Sequence, residues 1–183
     1  MWSQAVKPLG PIAYILKMRV TLLRDLGSAI SPFNAFLILQ GAETLALRMR
    51  AHCENASAVV KFLSGRPEVA RVIHPSTATG VDAERAAKYL PRGQGGMIGM
   101  ELKGGKAAGL AFIKALKMFY HVANIGDTRS LAIHPATTTH SQLSADEQLA
   151  TGVSDGYVRL CIGIEHIDDI VADLAQALDA AGG

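Results

Sequence analysis

The stretch YVRLCIG, residues Tyr157–Gly163, alternates apolar and polar positions as a half-buried strand does. Val158, Leu160 and Ile162 share its apolar face, so Arg159 must project from the other side. Just downstream, Ile167, Ile170, Val171, Leu174 and Leu178 recur at helical spacing, and Asp168 and Asp169 stand where a helix N-terminus favours acids. This predicts an amphipathic helix over 167–181. Upstream lies NIGDTRSLAIHPATTTHSQL, residues Asn124–Leu143, in which a turn glycine, hydroxyls and two histidines crowd between apolar segments. It reads as a polar loop between packed elements, where binding chemistry usually sits.

Strand and helix signals continue to alternate farther out. Glu68–His74 reads as a strand closed by Pro75, Met97–Lys103 as a strand with Ile98, Met100 and Leu102 on one face, and Tyr120–Asn124 as a short strand. Helices are expected over Ile12–Leu26, ended by Gly27, and after Ser31-Pro32, with Ser31 as cap. Further helices are expected over Glu43–Leu63, Asp82–Leu90, Lys106–Phe119 and Ser144–Ala150. Pro8 and Pro11 read as a stiff entry to the first of them. The run FNAFLILQG is apolar nearly all round, which predicts burial on more than one side or a surface awaiting a partner. On the helix from Glu43, His52 and Asn55 read as part of a solvated face. The whole is an α/β chain, or an α+β layer with several helices over one face of a small sheet.

Composition bounds the function. Apolar residues make up 49% and charged residues 19%, enough for a core and too little charge for disorder. The 18 Lys and Arg against 16 Asp and Glu leave +2, too weak a field for a nucleic-acid partner. No stretch reaches the roughly 18 apolar residues of a membrane span, and the N-terminal sequence has no secretory signal pattern. Cys53 and Cys161 read as two buried thiols, with no disulfide or zinc pattern, which suits the reducing cytoplasm.

Arg159 is the sharpest candidate, because a guanidinium in a mostly apolar segment needs a partner. Glu165 could supply one internally, or a ligand carboxylate could be held bidentately. Ser130 and Thr137–Thr139 could donate to the same anion, or simply cap local backbone. His134 and His140 lack a third ligand for a metal. Ser141, His140 and Asp127 have no nucleophile frame around them. The glycine-rich Arg92–Gly96 precedes a strand, whereas a phosphate loop should open a helix; a turn is the better reading.

Four longer motifs resemble the C-terminal part of the O-acetylhomoserine sulfhydrylases. They are LRDLGSAISPFNAFLILQGAETLALRMRAHCENA, YLPRGQGG, NIGDTRSLAIHPATTTHSQLS and VRLCIGIEHIDDIVADLAQAL, and the similarity runs from about Gly10 to Ala181. The sulfhydrylases belong to the pyridoxal-phosphate-dependent sulfur amino-acid family, with the cystathionine synthases and lyases as cousins. The resemblance implies the small C-terminal domain of a fold-type I transferase, with helices on one face of a mostly antiparallel sheet. Residues 1–40 would be a helical lead-in and 41–183 a substrate-recognition domain. It implies γ-replacement of acetate by sulfide or a thiol on O-acetylhomoserine. Arg159 would clamp the substrate carboxylate and Ser130 and Thr139 would assist. Arg129, where the transsulfuration cousins tend to carry an acid, points to the sulfhydrylase branch.

The chain also departs from the pattern. None of Lys7, Lys17, Lys61, Lys88, Lys103, Lys106, Lys114 or Lys117 stands in the Ser-x-Thr-Lys context that carries pyridoxal phosphate in the family. The covalent lysine is therefore expected elsewhere, and MWSQAVK stands where the sequence before the junction belongs. Three readings follow: the C-terminal part of a sulfhydrylase acting with an N-terminal half or as a homo-oligomer; a non-catalytic module or remnant pairing with a full-length relative; or an independent small-anion binder. A cystathionine γ-synthase or lyase type is the alternative within the family.

Overall fold

The structure, a computed structural model, describes residues 10–182. The expected features at Pro8, MWSQAVK and Lys7 lie outside them. The chain forms two compact units, Met1–Leu45 and Ala46–Gly183.

In the first unit, α1 (Ala13–Lys17) runs into a π-helical segment, Met18–Asp25. It stops before Gly27, whose φ of +69° is left-handed backbone suited to glycine. Helix α2 (Pro32–Glu43) starts as its sequence dictates: Ser31 Oγ accepts the Asn34 amide at 3.1 Å, and Pro32 opens the first turn. The expected burial of FNAFLILQG is corrected. No residue of α2 is buried, and Phe33, Phe36, Leu37, Ile38 and Leu39 are half to two-thirds exposed. So short a length of chain has too little surface to enclose a helix that is apolar on every side.

The second unit holds one sheet in the order β1-β2-β5-β4-β3. Its strands are β1 (Val69–Ile73), β2 (Met97–Leu102), β3 (Tyr120–His121), β4 (Leu131–Ile133) and β5 (Tyr157–Cys161). All neighbours are antiparallel except the two-residue edge pairing of β3 with β4. Its helices are α3 (Leu45–Ser64), α4 (Gly80–Tyr89), α5 (Gly105–Ala115), the short α6 (Ala145–Ala150) between β4 and β5, and α7 (Ile167–Ala181). One face of the sheet, built from Ile98, Met100, Leu102, Ala132, Val158, Leu160 and Ile162, is sealed by α3, α5 and α7. This is the expected layer of helices on one face of a mostly antiparallel sheet.

Two boundaries differ from expectation for physical reasons. Helix α5 ends at Ala115 rather than Phe119, because the buried Asp173 of α7 accepts the amides of Lys117, Met118 and Phe119 at 2.9–3.2 Å. Those amides need no helical carbonyl. The polar loop is also not all loop: Leu131–Ile133 within it is a fully buried strand beside β5. A three-residue apolar run is too short to show a period of two against its polar flanks. Cys53, expected buried, is only half-buried; Cys161 is buried.

Candidate functional site

Helices cover one face of the sheet, and Arg159 projects from the other. On β5 it lies between Gly99 of β2 and Ile133 of β4. Gly99 has no side chain, and a Cβ there would come within 2.7 Å of the Tyr157 ring, so the aromatic ring rests over the glycine next to the arginine. Tyr157, Arg159 and Cys161 therefore line one stripe on this face. Burial pushes the Tyr157 hydroxyl and the Cys161 thiol up from their ordinary values, and the Arg159 charge opposes both shifts.

Arg159 is half-buried, and Nη2 donates to the Asn124 carbonyl at 3.2 Å. Its Nε is buried without an acceptor. Among the described residues no acid pairs with it. A guanidinium offers five donors, and leaving them idle in a partly dry setting is costly. Glu165, the internal partner weighed from sequence, is engaged elsewhere. Its Oε1 accepts the Ser130 amide at 2.6 Å and its Oε2 accepts the Ser130 hydroxyl at 2.9 Å.

That engagement is part of a knot behind the site. Ser130 is fully buried, and its Oγ accepts the Gly163 amide at 2.9 Å. Asn55 Nδ2 donates to the carbonyls of Gly163 and Glu165 at 3.1 and 2.9 Å. His52 Nδ1 donates to the Ile162 carbonyl at 2.6 Å. The reading of His52 and Asn55 as a solvated face is thus corrected: His52 is 6% exposed, and both side chains fasten α3 to the chain leaving β5. Gly163 is required here, since a Cβ would strike the Ser130 amide and the Thr128 carbonyl, each 2.5 Å away.

The other sequence candidates are dispersed. Thr139 is exposed, with its hydroxyl 2.9 Å from His140 Nδ1. Arg129 is exposed and lies 5.0 Å over the Tyr120 ring at the β3 edge. His134 is 1% exposed; its Nε2 donates to the Asp155 carbonyl at 2.8 Å and Nδ1 takes the Thr137 hydroxyl at 2.9 Å. It is a core histidine, and no group of three metal-ligating side chains occurs among the described residues. The Arg92–Gly96 turn does precede β2, and Gly93 packs on Cys53, where a Cβ would lie 2.7 Å from the sulfur.

Sequence reasoning missed what surrounds the arginine. Cys161 Sγ lies 3.3 Å from the same Asn124 carbonyl and 3.0 Å from Met97 Sδ. The strand period could have placed Cys161 on the face of Arg159, two residues on. The Asn124 carbonyl, being backbone, carried no signal of its own.

Comparison with known proteins gives this geometry a context. The sequence model of the Cys/Met metabolism PLP-dependent enzymes matches residues 11–179. The chain is 53% identical to an O-acetyl-L-homoserine sulfhydrylase of Leptospira meyeri, over 91% of this chain and 38% of the relative. It is 47% identical to O-acetyl-L-homoserine sulfhydrylase 1 of Thermus thermophilus, over 92% and 40%. A crystal structure from Campylobacter jejuni, assigned as an O-acetylhomoserine (thiol)-lyase and carrying a pyridoxyl-lysine, superposes with TM-score 0.82 at 40% identity, over 92% of this chain and 40% of that one. Cystathionine gamma synthase of Xanthomonas oryzae superposes with TM-score 0.77 at 41% identity, over 86% and 41%. The chain thus spans about two-fifths of the length of these proteins.

Proposed function

Since the chain belongs to the PLP-dependent enzymes of Cys/Met metabolism, we propose that it forms the substrate-carboxylate site of an O-acetylhomoserine sulfhydrylase, as the C-terminal part of that enzyme. The observation that carries this reading is Arg159, a half-buried guanidinium with an orphaned Nε and no acid partner among the described residues. A carboxylate arriving from solvent would complete its donors bidentately. Ser130 serves from behind, holding the exit of β5 through Glu165 and Gly163, and Thr139 and Arg129, both exposed, are candidates for later contacts and for choice of substrate.

The family's cofactor supplies the electron sink for replacing acetate by sulfide or a thiol at the γ carbon. Its covalent attachment needs an amine at the reacting centre. The lysines among the described residues are all exposed, and none stands in the Ser-x-Thr-Lys context that carries the cofactor in the family. On this reading the covalent site lies outside the described residues. The chain's own part in the reaction is to bind the carboxylate and fix its direction. The exposed apolar side chains of α2 support association with further protein, either a second copy or the remaining length of a sulfhydrylase. Free Cys53 and Cys161 suit a reducing compartment, and no helix among the described residues is long and apolar enough to cross a membrane.

The test is binding of O-acetylhomoserine to the purified chain, against its carboxamide, in the native sequence and in Arg159→Ala and Arg159→Lys. The acid should bind and the amide should not, with at least a tenfold loss in Arg159→Ala and a smaller one in Arg159→Lys. Equal affinity in Arg159→Ala would sink the assignment.

A further inference from the structure

The Arg92–Gly96 turn, which opens no helix, borders a groove whose walls include none of Tyr157, Arg159 and Cys161. Helix α3 and the end of α4 supply much of the rest. The wider end, of about 790 Å³, carries Arg50 of α3, Lys88 of α4 and Arg92 of the turn, with Met49 and Leu90 beside them. The narrower end, of about 240 Å³, carries Ser57 of α3, Ser76 and Gln94. Cys53, Leu90, Pro91 and Gly93 line both, so the two ends meet at an uncharged waist. There Gly93 packs directly on the Cys53 sulfur.

The two ends differ in charge. No acid lines the wider one among the described residues, and Arg50 and Arg92 make no ion pair or hydrogen bond there. The one partner of Lys88 is the Tyr89 ring, whose centroid lies 5.1 Å from its ammonium. Glu54 and Glu84 stand a helical turn from Arg50 and Lys88, and neither pairs with them. Complementing the α4 dipole explains Lys88 alone. Three cations around one concavity repel one another and focus a positive field in it, which favours a polyvalent anion. The narrower end offers hydrogen bonding without charge. The Ser57 hydroxyl and the half-buried Gln94 amide make no hydrogen bond among the described residues, while Ser76 Oγ already meets His74 Nδ1 at 2.7 Å.

We propose that this groove binds an organic phosphate, with the phosphate on Arg50, Lys88 and Arg92 and a neutral, hydrogen-bonding body reaching past Cys53 and Pro91 to Ser57 and Gln94. Guanidinium forks hold phosphate oxygens bidentately, and an ammonium adds a point charge. A free amide and a free hydroxyl together offer donors and acceptors, which suits a body such as a nucleobase or a sugar. A second charge on the ligand would find no counter-charge at the narrow end. Side chains hold the anion here; the glycine-rich turn supplies a wall and not a phosphate loop. Such a ligand is additional to the amino acid at Arg159, and the inference does not rest on that reading.

The test is calorimetric titration of the purified chain with AMP, inorganic phosphate and adenosine. AMP should bind one to one and about tenfold or more tighter than either half, since it spans both ends. Arg50→Gln with Lys88→Gln should weaken AMP and phosphate by about tenfold or more, as the loss of charge-assisted hydrogen bonds implies, and leave adenosine unchanged. Gln94→Ala should weaken AMP and adenosine and leave phosphate unchanged. Arg50, Lys88 and Lys103 are exposed, so their replacement leaves the core intact, and Lys103→Gln, a cation outside the groove, should change nothing. Phosphate binding as tightly as AMP would overturn the neutral end. An equal loss in Lys103→Gln would overturn the site in favour of a diffuse positive field, and absence of AMP binding would overturn the proposal outright. Arg159→Ala should leave AMP binding untouched, so a failure here and a failure of the carboxylate site are read separately.

Discussion

Replacing Ser130 by alanine tests whether the knot behind Arg159 is structural. The hydroxyl donates to Glu165 Oε2 and accepts the Gly163 amide, both at 2.9 Å, at a position with no solvent exposure. Alanine fits the space, so the loss is one of hydrogen bonds alone. The buried Gly163 N–H is left without an acceptor, which costs about 1–3 kcal/mol. Glu165 loses one charge-assisted bond, ordinarily about 1.5–3 kcal/mol. It is only half-buried and keeps the Ser130 amide at 2.6 Å, so water can offset much of that second loss. The sum is about 2–4 kcal/mol, a large share of the stability of a typical domain.

Urea unfolding followed by circular dichroism would read this as a midpoint lowered by about 1–2 M at unchanged slope, taking a slope near 2 kcal/mol per M. Thr139→Ala is the control. Its hydroxyl is exposed and meets only His140, so the shift should stay within about 0.5 kcal/mol. A Ser130→Ala variant that unfolds less than about 1 kcal/mol early, yet loses carboxylate binding, would refute this reasoning. It would place the hydroxyl on the ligand instead.

Two further outcomes follow from packing and protonation. Gly109→Ala should destabilise by a net of up to about 2 kcal/mol, because the new Cβ would lie 2.6 Å from the His134 ring, which Thr137 and Asp155 hold in place. Overpacking of about 1–3 kcal/mol matches or exceeds the gain of about 1 kcal/mol in helix propensity, and a thermal midpoint that rises would contradict it. For His74, burial lowers the folded pKa below the ordinary 6.5, with the Gly95 backbone opposing in part. The unfolded chain then takes up the proton more readily, so this contribution is complete above about pH 6.5 and is lost as pH falls through the depressed folded value. Urea midpoints from pH 7.5 down to about 5 should therefore fall more steeply in the native chain than in His74→Gln, and parallel slopes would refute the assignment.

What the sequence disclosed depended on whether the signal was periodic. Helix α7 was legible to the residue, since Ile170, Leu174 and Leu178 recur at helical spacing behind two leading acids. The outward turn of Arg159 was legible from the strand alternation of its neighbours, all of which lie at 0–1% exposure. Features fixed by partners distant in sequence were not. Asp173 ends α5 from 54 to 56 positions away, and His52 and Asn55 meet the chain leaving β5 across 108 to 110. No local pattern marks such contacts, because a polar side chain on a helix looks the same in sequence whether it faces water or a carbonyl.

The choice left open at Arg159, internal acid or external ligand, turns on the same distinction. Glu165 was the nearest acid downstream, and sequence proximity alone made it a plausible partner. The fold commits both of its oxygens to Ser130, and in doing so pins the segment that follows β5 against the segment that precedes β4. One carboxylate thus builds the wall and leaves the guanidinium free to bind. Were Glu165 released by Ser130→Ala, it could swing towards Arg159 and compete with the ligand. Loosening the knot should therefore weaken carboxylate binding secondarily, and Glu165→Gln, whose one amide oxygen can still accept the backbone amide of residue 130 but which cannot neutralise the arginine, should restore it in the double variant.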